Sequence, residues 1–238
     1  MRKSEIARSL DSKATSIFIV TAAVLVLNSL ISNIIRVDSV NSIVSSIGAI
    51  LVTIAAPAAV ILQLRGFAVV DKACRLSEKN ENYYMGKNLL VVSVVCFVVT
   101  VILGIAAIVL SFMLAQYNTA EALFVSDKQA MNNIVVLTAV VNIAMQFFAV
   151  STPFILSLWK IYNLTEKKTK VGTVALLAIV MLVLHIAIGI LNSIYTIRSA
   201  DNSFLPDFSG ILNTVKYAVL LVFFIMRKNQ LEKAAVTE

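Results

Sequence analysis

Six long apolar runs constrain this chain more than any other feature: Ala14–Ile35, Val40–Leu64, Asn88–Ala115, Asn133–Trp159, Val171–Ile197 and Phe208–Met226. At ~1.5 Å of rise per residue, a helix of such a length approaches or exceeds the roughly 30 Å hydrocarbon core of a bilayer. No water reaches the backbone there, so each run must bond its peptide groups internally as a helix. A β-barrel would instead need segments of about ten residues that alternate polar and apolar side chains. With 59% hydrophobic residues, 14% charged residues and a mean hydropathy of +0.91, the composition leaves the range of soluble domains. The expected fold is an all-α integral membrane protein with six transmembrane helices in three hairpins, forming one membrane domain over residues 1–238.

The distribution of basic residues orients the spans. Arg2, Lys3, Arg8 and Lys13 precede the first run; Arg65, Lys72, Arg75, Lys79 and Lys87 follow the second; Lys160, Lys167, Lys168 and Lys170 follow the fourth; Arg227, Lys228 and Lys233 follow the sixth. The alternate connections hold only Arg36, Lys128 and Arg198, a division of sixteen to three. By the positive-inside rule both termini are expected in the cytoplasm. Orientation thus accounts for most of the net charge of +7, and no nucleic-acid partner is expected. The basic N-terminal stretch leads into a run too long for a signal-peptide core and lacks a small-residue cleavage site, so the first run stays as a helix. The compact connections, and an Asn163-Leu164-Thr165 triplet that falls on the inner side, suit a bacterial plasma membrane.

The inner connection 65–87 is the longest. Phe67, Val70, Ala73, Cys74 and Leu76 recur there at near-helical spacing, as expected if the second span continues into the cytoplasm or a short amphipathic helix lies on the inner leaflet. Such a segment is either a basic surface held near anionic lipid or a docking site for a cytoplasmic partner. Pro57 and Pro153 each stand about two turns before the inner anchor of an even-numbered span, and each is expected to kink its helix.

Little in the chain points to catalysis. Every Asp and Glu lies in a connection or tail, and no nucleotide-binding loop, His-Glu-x-x-His zinc motif or nucleophile elbow occurs. Cys74 and Cys96 are the only cysteines, too few for a disulfide scaffold or a cysteine zinc site. No enzyme activity, cofactor or metal is expected.

Polar residues inside the spans carry the functional signal. Counting ~1.5 Å per residue from each inner basic anchor places Asn28, Thr53, Thr100, Gln146, His185 and Lys216 in one layer, about 16–22 Å deep. Polar or small residues continue outward at helical spacing. Ser42, Ser46, Ala49 and Thr53 do so on the second span, and Thr138, Asn142 and Gln146 on the fourth. On the fifth the series is His185, Gly189, Asn192 and Ser193, and on the sixth Ser209, Asn213, Lys216 and Tyr217. If these stripes face one another they enclose a polar cavity open to the outside; alternatively the neutral residues are hydrogen-bonding glue between helices. Lys216 differs from them. A central lysine costs roughly 2.5–3.5 kcal/mol to insert, and no carboxylate on its own helix lies within reach, Asp207 being about 13 Å away along the axis. Only Asp201, on a folded-in loop, could supply one.

Two functions from different classes fit these residues. The first is the membrane subunit of a small-solute transporter. Its site would be built from Lys216, His185, Gln146, Asn28, Asn142, Asn213, Thr53 and Thr100, with Lys216 and His185 receiving an anionic or carbonyl-bearing group. In size and topology the chain resembles the substrate-binding subunits of energy-coupling-factor importers and the short permeases of ABC exporters. That resemblance implies a separate ATPase docking at 65–87. The second is a non-transport membrane interaction protein, such as an immunity factor, assembly scaffold or sensor, which needs no cavity.

Overall fold

The computed structural model describes residues 3–35, 42–76, 80–121, 128–148, 151–164, 169–198 and 206–236. These residues form seven helices: α1 (Lys3–Ile35), α2 (Ser42–Leu76), α3 (Asn80–Glu121), α4 (Lys128–Phe148), α5 (Ser151–Leu164), α6 (Lys170–Arg198) and α7 (Pro206–Val236). Among the described residues there is no strand. Six segments are long and apolar enough to cross a membrane: Ser9–Ile35, Ser42–Leu76, Asn88–Leu114, Met131–Lys160, Lys170–Ile194 and Gly210–Lys233.

The two prolines act differently. Pro57 lies inside an unbroken α2, whereas the fourth span is shared between α4 and α5, with Pro153 in the first turn of α5. Pro153 has no N–H to donate back along the chain. Among the described residues no backbone hydrogen bond joins α4 to α5. Side-chain hydroxyls take over instead: Thr152 Oγ1 donates to Phe147 O, and Thr100 Oγ1 on α3 donates to Phe148 O at 2.8 Å. The last carbonyls of α4, which would otherwise sit unsatisfied at membrane depth, are thereby capped. At the other end of the second span, α2 runs without interruption through Arg65 to Leu76, and its extension buries Gly66, Phe67, Asp71 and Ala73.

Packing follows chain order and closes on itself. α1 packs on α2, α2 on α3, α3 on α4 and α5, these two on α6, α6 on α7, and α7 on α1. The α1–α7 seam is antiparallel and polar. Arg227 Nη2 on α7 donates to Asp11 Oδ2 on α1 at 3.1 Å, Ser29 and Thr214 share a hydroxyl bond of 2.8 Å, and Asn33 Nδ2 donates to Gly210 O and to Thr214 Oγ1, both at 3.1 Å. These are the cross-helix bonds that small polar residues make in lipid, where burying apolar surface gives no drive to associate.

The main core occupies the end of the bundle nearest the two chain termini. Phe18, Phe67, Phe154 and Phe224 come from four helices, and Phe18 is the hub, with ring centroids 5.0, 5.6 and 5.1 Å from the other three. Phe223 packs edge-on against Phe224. Tilted and edge-to-face pairs at these distances are the favoured aromatic geometry. Gly66 makes the close α1–α2 approach feasible, because a β-carbon there would lie 2.3 Å from Cε1 of Phe18. The opposite end of the bundle is less filled, with a small cluster of Leu110, Ile134 and Val141 between α3 and α4.

Candidate functional site

At that less filled end, α3, α4 and α6 surround a cavity of about 500 Å³. Thr138, Asn142 and Gln146 line it from α4, and His185, Gly189, Asn192 and Ser193 line it from α6. Each set follows the helical repeat, so each falls on one face of its helix, and the contact between α4 and α6 turns the two faces toward each other. Gly189 sets the spacing: a β-carbon there would lie 2.7 Å from Cδ of Gln146, so the missing side chain makes room for the glutamine's carboxamide.

The hydrogen-bonding state of the lining is informative. Thr138 Oγ1 donates to Ile134 O at 2.8 Å and Ser193 Oγ to Gly189 O at 2.9 Å, each within its own helix. The carboxamides of Asn142 and Gln146 make no hydrogen bond to any described residue. His185 Nδ1 is buried and also lacks a partner. Asn192 has an interaction of its own. Leaving a buried polar atom unpaired costs on the order of 1–3 kcal/mol, a cost that falls here on His185 Nδ1, whereas Asn142 is exposed and Gln146 half-buried, so their carboxamides stand free on the cavity wall.

Lys216 lies beside this cavity without lining it. It is 2% exposed, its Nζ sits 4.4 Å from the centroid of the Tyr217 ring, and it is near enough to His185 to act on it electrostatically. An ammonium over an aromatic face is a favourable pairing, more so when desolvated. Asp201, the loop acid named above as a partner for Lys216, lies outside the described residues.

The other layer residues are scattered around the ring. Thr53 is exposed on α2, its hydroxyl bonded to Ala49 O within the same helix, and Ser42, Ser46 and Ala49 share that exposed face. Thr100 caps α4. Asn28 is half-buried on α1 with its Oδ1 buried and unpartnered, and Asn213 is half-buried on α7. Thus Asn142, Gln146 and His185 come together with Lys216 close by, while Asn28, Asn213, Thr53 and Thr100 do not line the cavity. Sequence reasoning passed over the Ser29–Thr214 and Asn33–Gly210 seam, although the i, i+4 spacing of each pair of partners on its own helix was a usable sign. Among the described residues no group of three or more His, Cys, Asp or Glu side chains converges. Comparison with protein-family models, with curated proteins and with solved structures finds no match, so the site rests on the chemistry of these residues alone.

Proposed function

We propose that this chain is the membrane subunit of a small-solute transporter, with the cavity between α3, α4 and α6 as a binding site open to the outside. One contrast carries the reading. Where polar residues serve as glue, as at Ser29, Asn33 and Thr214, they bond across the helix interface. Asn142 and Gln146, at the contact of α4 with α6, have no hydrogen-bond partner among the described residues and line an open volume instead, beside the buried and unpartnered Nδ1 of His185. The N-in, C-in orientation that makes this end of the bundle extracellular rests on the sixteen-to-three division of Lys and Arg. At the opposite end, Arg65, Lys72 and Arg75 are exposed on the extension of α2 and offer a basic flank where a cytoplasmic ATPase would dock.

Labelling tests the reading directly. In a Cys74→Ser, Cys96→Ala background, Thr138→Cys and Ser193→Cys should react with a membrane-impermeant maleimide added outside right-side-out vesicles. Val140→Cys, 53% exposed on another face of α4, should not, because that face meets lipid. If the cavity cysteines are as inert as the Val140→Cys control, the reading is lost. The second function, a non-transport interaction protein, draws support from the exposed small-residue face Ser42, Ser46, Ala49 and Thr53, which permits close helix approach. It would be favoured by inert cavity cysteines together with cross-linking of Ser46→Cys to another membrane protein.

A further inference from the structure

We infer that the cavity takes an uncharged, amide-like small solute, namely a carboxamide, lactam or neutral nitrogen heterocycle, and discriminates against ions of either sign. This rests on reading the cavity as a water-accessible binding site.

The lining carries no formal charge. Its polar members are Thr138, Asn142, Gln146, His185, Asn192 and Ser193, and the remainder are apolar or glycine, with histidine counted as neutral at pH 7. An ion that leaves water for such a site loses hydration and finds no countercharge to replace it. Lys216 does not change this for anions. It is 2% exposed, absent from the lining and turned onto the Tyr217 ring, so it cannot touch a bound carboxylate without leaving its own partner.

The unspent groups select what remains. A carboxamide presents a donor and an acceptor side by side in one plane, and Asn142 and Gln146 stand one turn apart on the same face of α4. Paired donor and acceptor groups of this kind recognise a partner with the complementary pair on one edge, the same logic by which Asn and Gln read a nucleobase edge. His185 lines the cavity from α6, with its Nδ1 buried and unpartnered. Hydroxyl donors are scarcer, because Thr138 and Ser193 spend theirs within their own helices. A volume of about 500 Å³ lies within the range of small-molecule sites and suits a solute of one or two rings.

Benzamide, benzoate and benzamidinium share one planar frame and carry zero, negative and positive charge. Each is added to vesicles bearing Ser193→Cys in the cysteine-depleted background, and the rate of labelling by the impermeant maleimide is followed. Benzamide should slow labelling by about fivefold or more at several times its Kd. The two ions should leave the rate within about twofold of the ligand-free value at the same concentration. Gln146→Leu should remove the protection by benzamide. Protection by either ion equal to that by benzamide overturns the inference, and so does the absence of protection by benzamide; in both cases efficient labelling leaves the open cavity standing. A Ser193→Cys that does not label overturns the inference and the binding-site reading together.

Discussion

Lys216 places an amine in the middle of the last span with 2% exposure and no ion pair among the described residues. Its compensation is the face of Tyr217, and the remaining cost falls on the fold. Even a buried ion pair is often replaced by apolar side chains of similar volume at no cost or with a gain of about 1–4 kcal/mol, and Lys216 has no pair to lose. Lys216→Met is therefore expected to keep or raise the thermal unfolding temperature of the purified protein. A fall of several degrees would mean that the ammonium holds the bundle together and is not a tolerated burden. Chemistry alone marked this residue in the sequence, because lysine within an apolar run is rare whatever surrounds it. The neutral residues of the same layer were another matter. Thr53, Thr100 and Gln146 have similar depth and polarity, yet one is exposed beside its own helix, one caps a neighbouring helix and one lines the cavity. Nothing in their local spacing separates these fates.

At the scale of elements, close approach between helices sets the packing. Gly66 on α2 admits the Phe18 ring of α1, and that ring is pinned by Phe67, Phe154 and Phe224, so it has no room to give way. Gly66→Ala is expected to cost about 1–3 kcal/mol through overpacking. Gly104 on α3 has nothing within 4 Å of where a β-carbon would stand. Gly104→Ala should be neutral or should stabilise by up to about 1 kcal/mol through helix propensity. Thermal unfolding of the two variants side by side checks the pair, and equal effects would mean that the α1–α2 contact is looser than described. Both prolines were marked in the sequence as expected kinks, and the fourth span does divide before Pro153. That α2 continues through Pro57 while the fourth span divides before Pro153 was not legible, because the division depends on hydroxyls from Thr152 and from Thr100 on another helix.

For the whole molecule, the ring of helices closed by the α1–α7 seam holds an aromatic core near the termini and a polar cavity at the far end. If both termini are cytoplasmic, a green fluorescent protein fused after Glu238 will fluoresce. Alkaline phosphatase inserted in the 36–41 or 122–127 connection will be active, and the same enzyme inserted at 165–168 will be inactive. The reverse pattern would place the cavity on the cytoplasmic side. The sequence by itself determined that the chain is helical and how many segments can cross a membrane, because an apolar run of such length has no other way to satisfy its backbone in lipid. It also determined which residues are polar at depth. Only the tertiary structure decided which of them meet. A membrane helix is apolar on nearly every face, so its pattern does not reveal which face turns toward its neighbours and which toward lipid. The contact of α4 with α6 joined Asn142, Gln146 and His185 in one cavity, set Lys216 behind it, and left Thr53 on the outer surface.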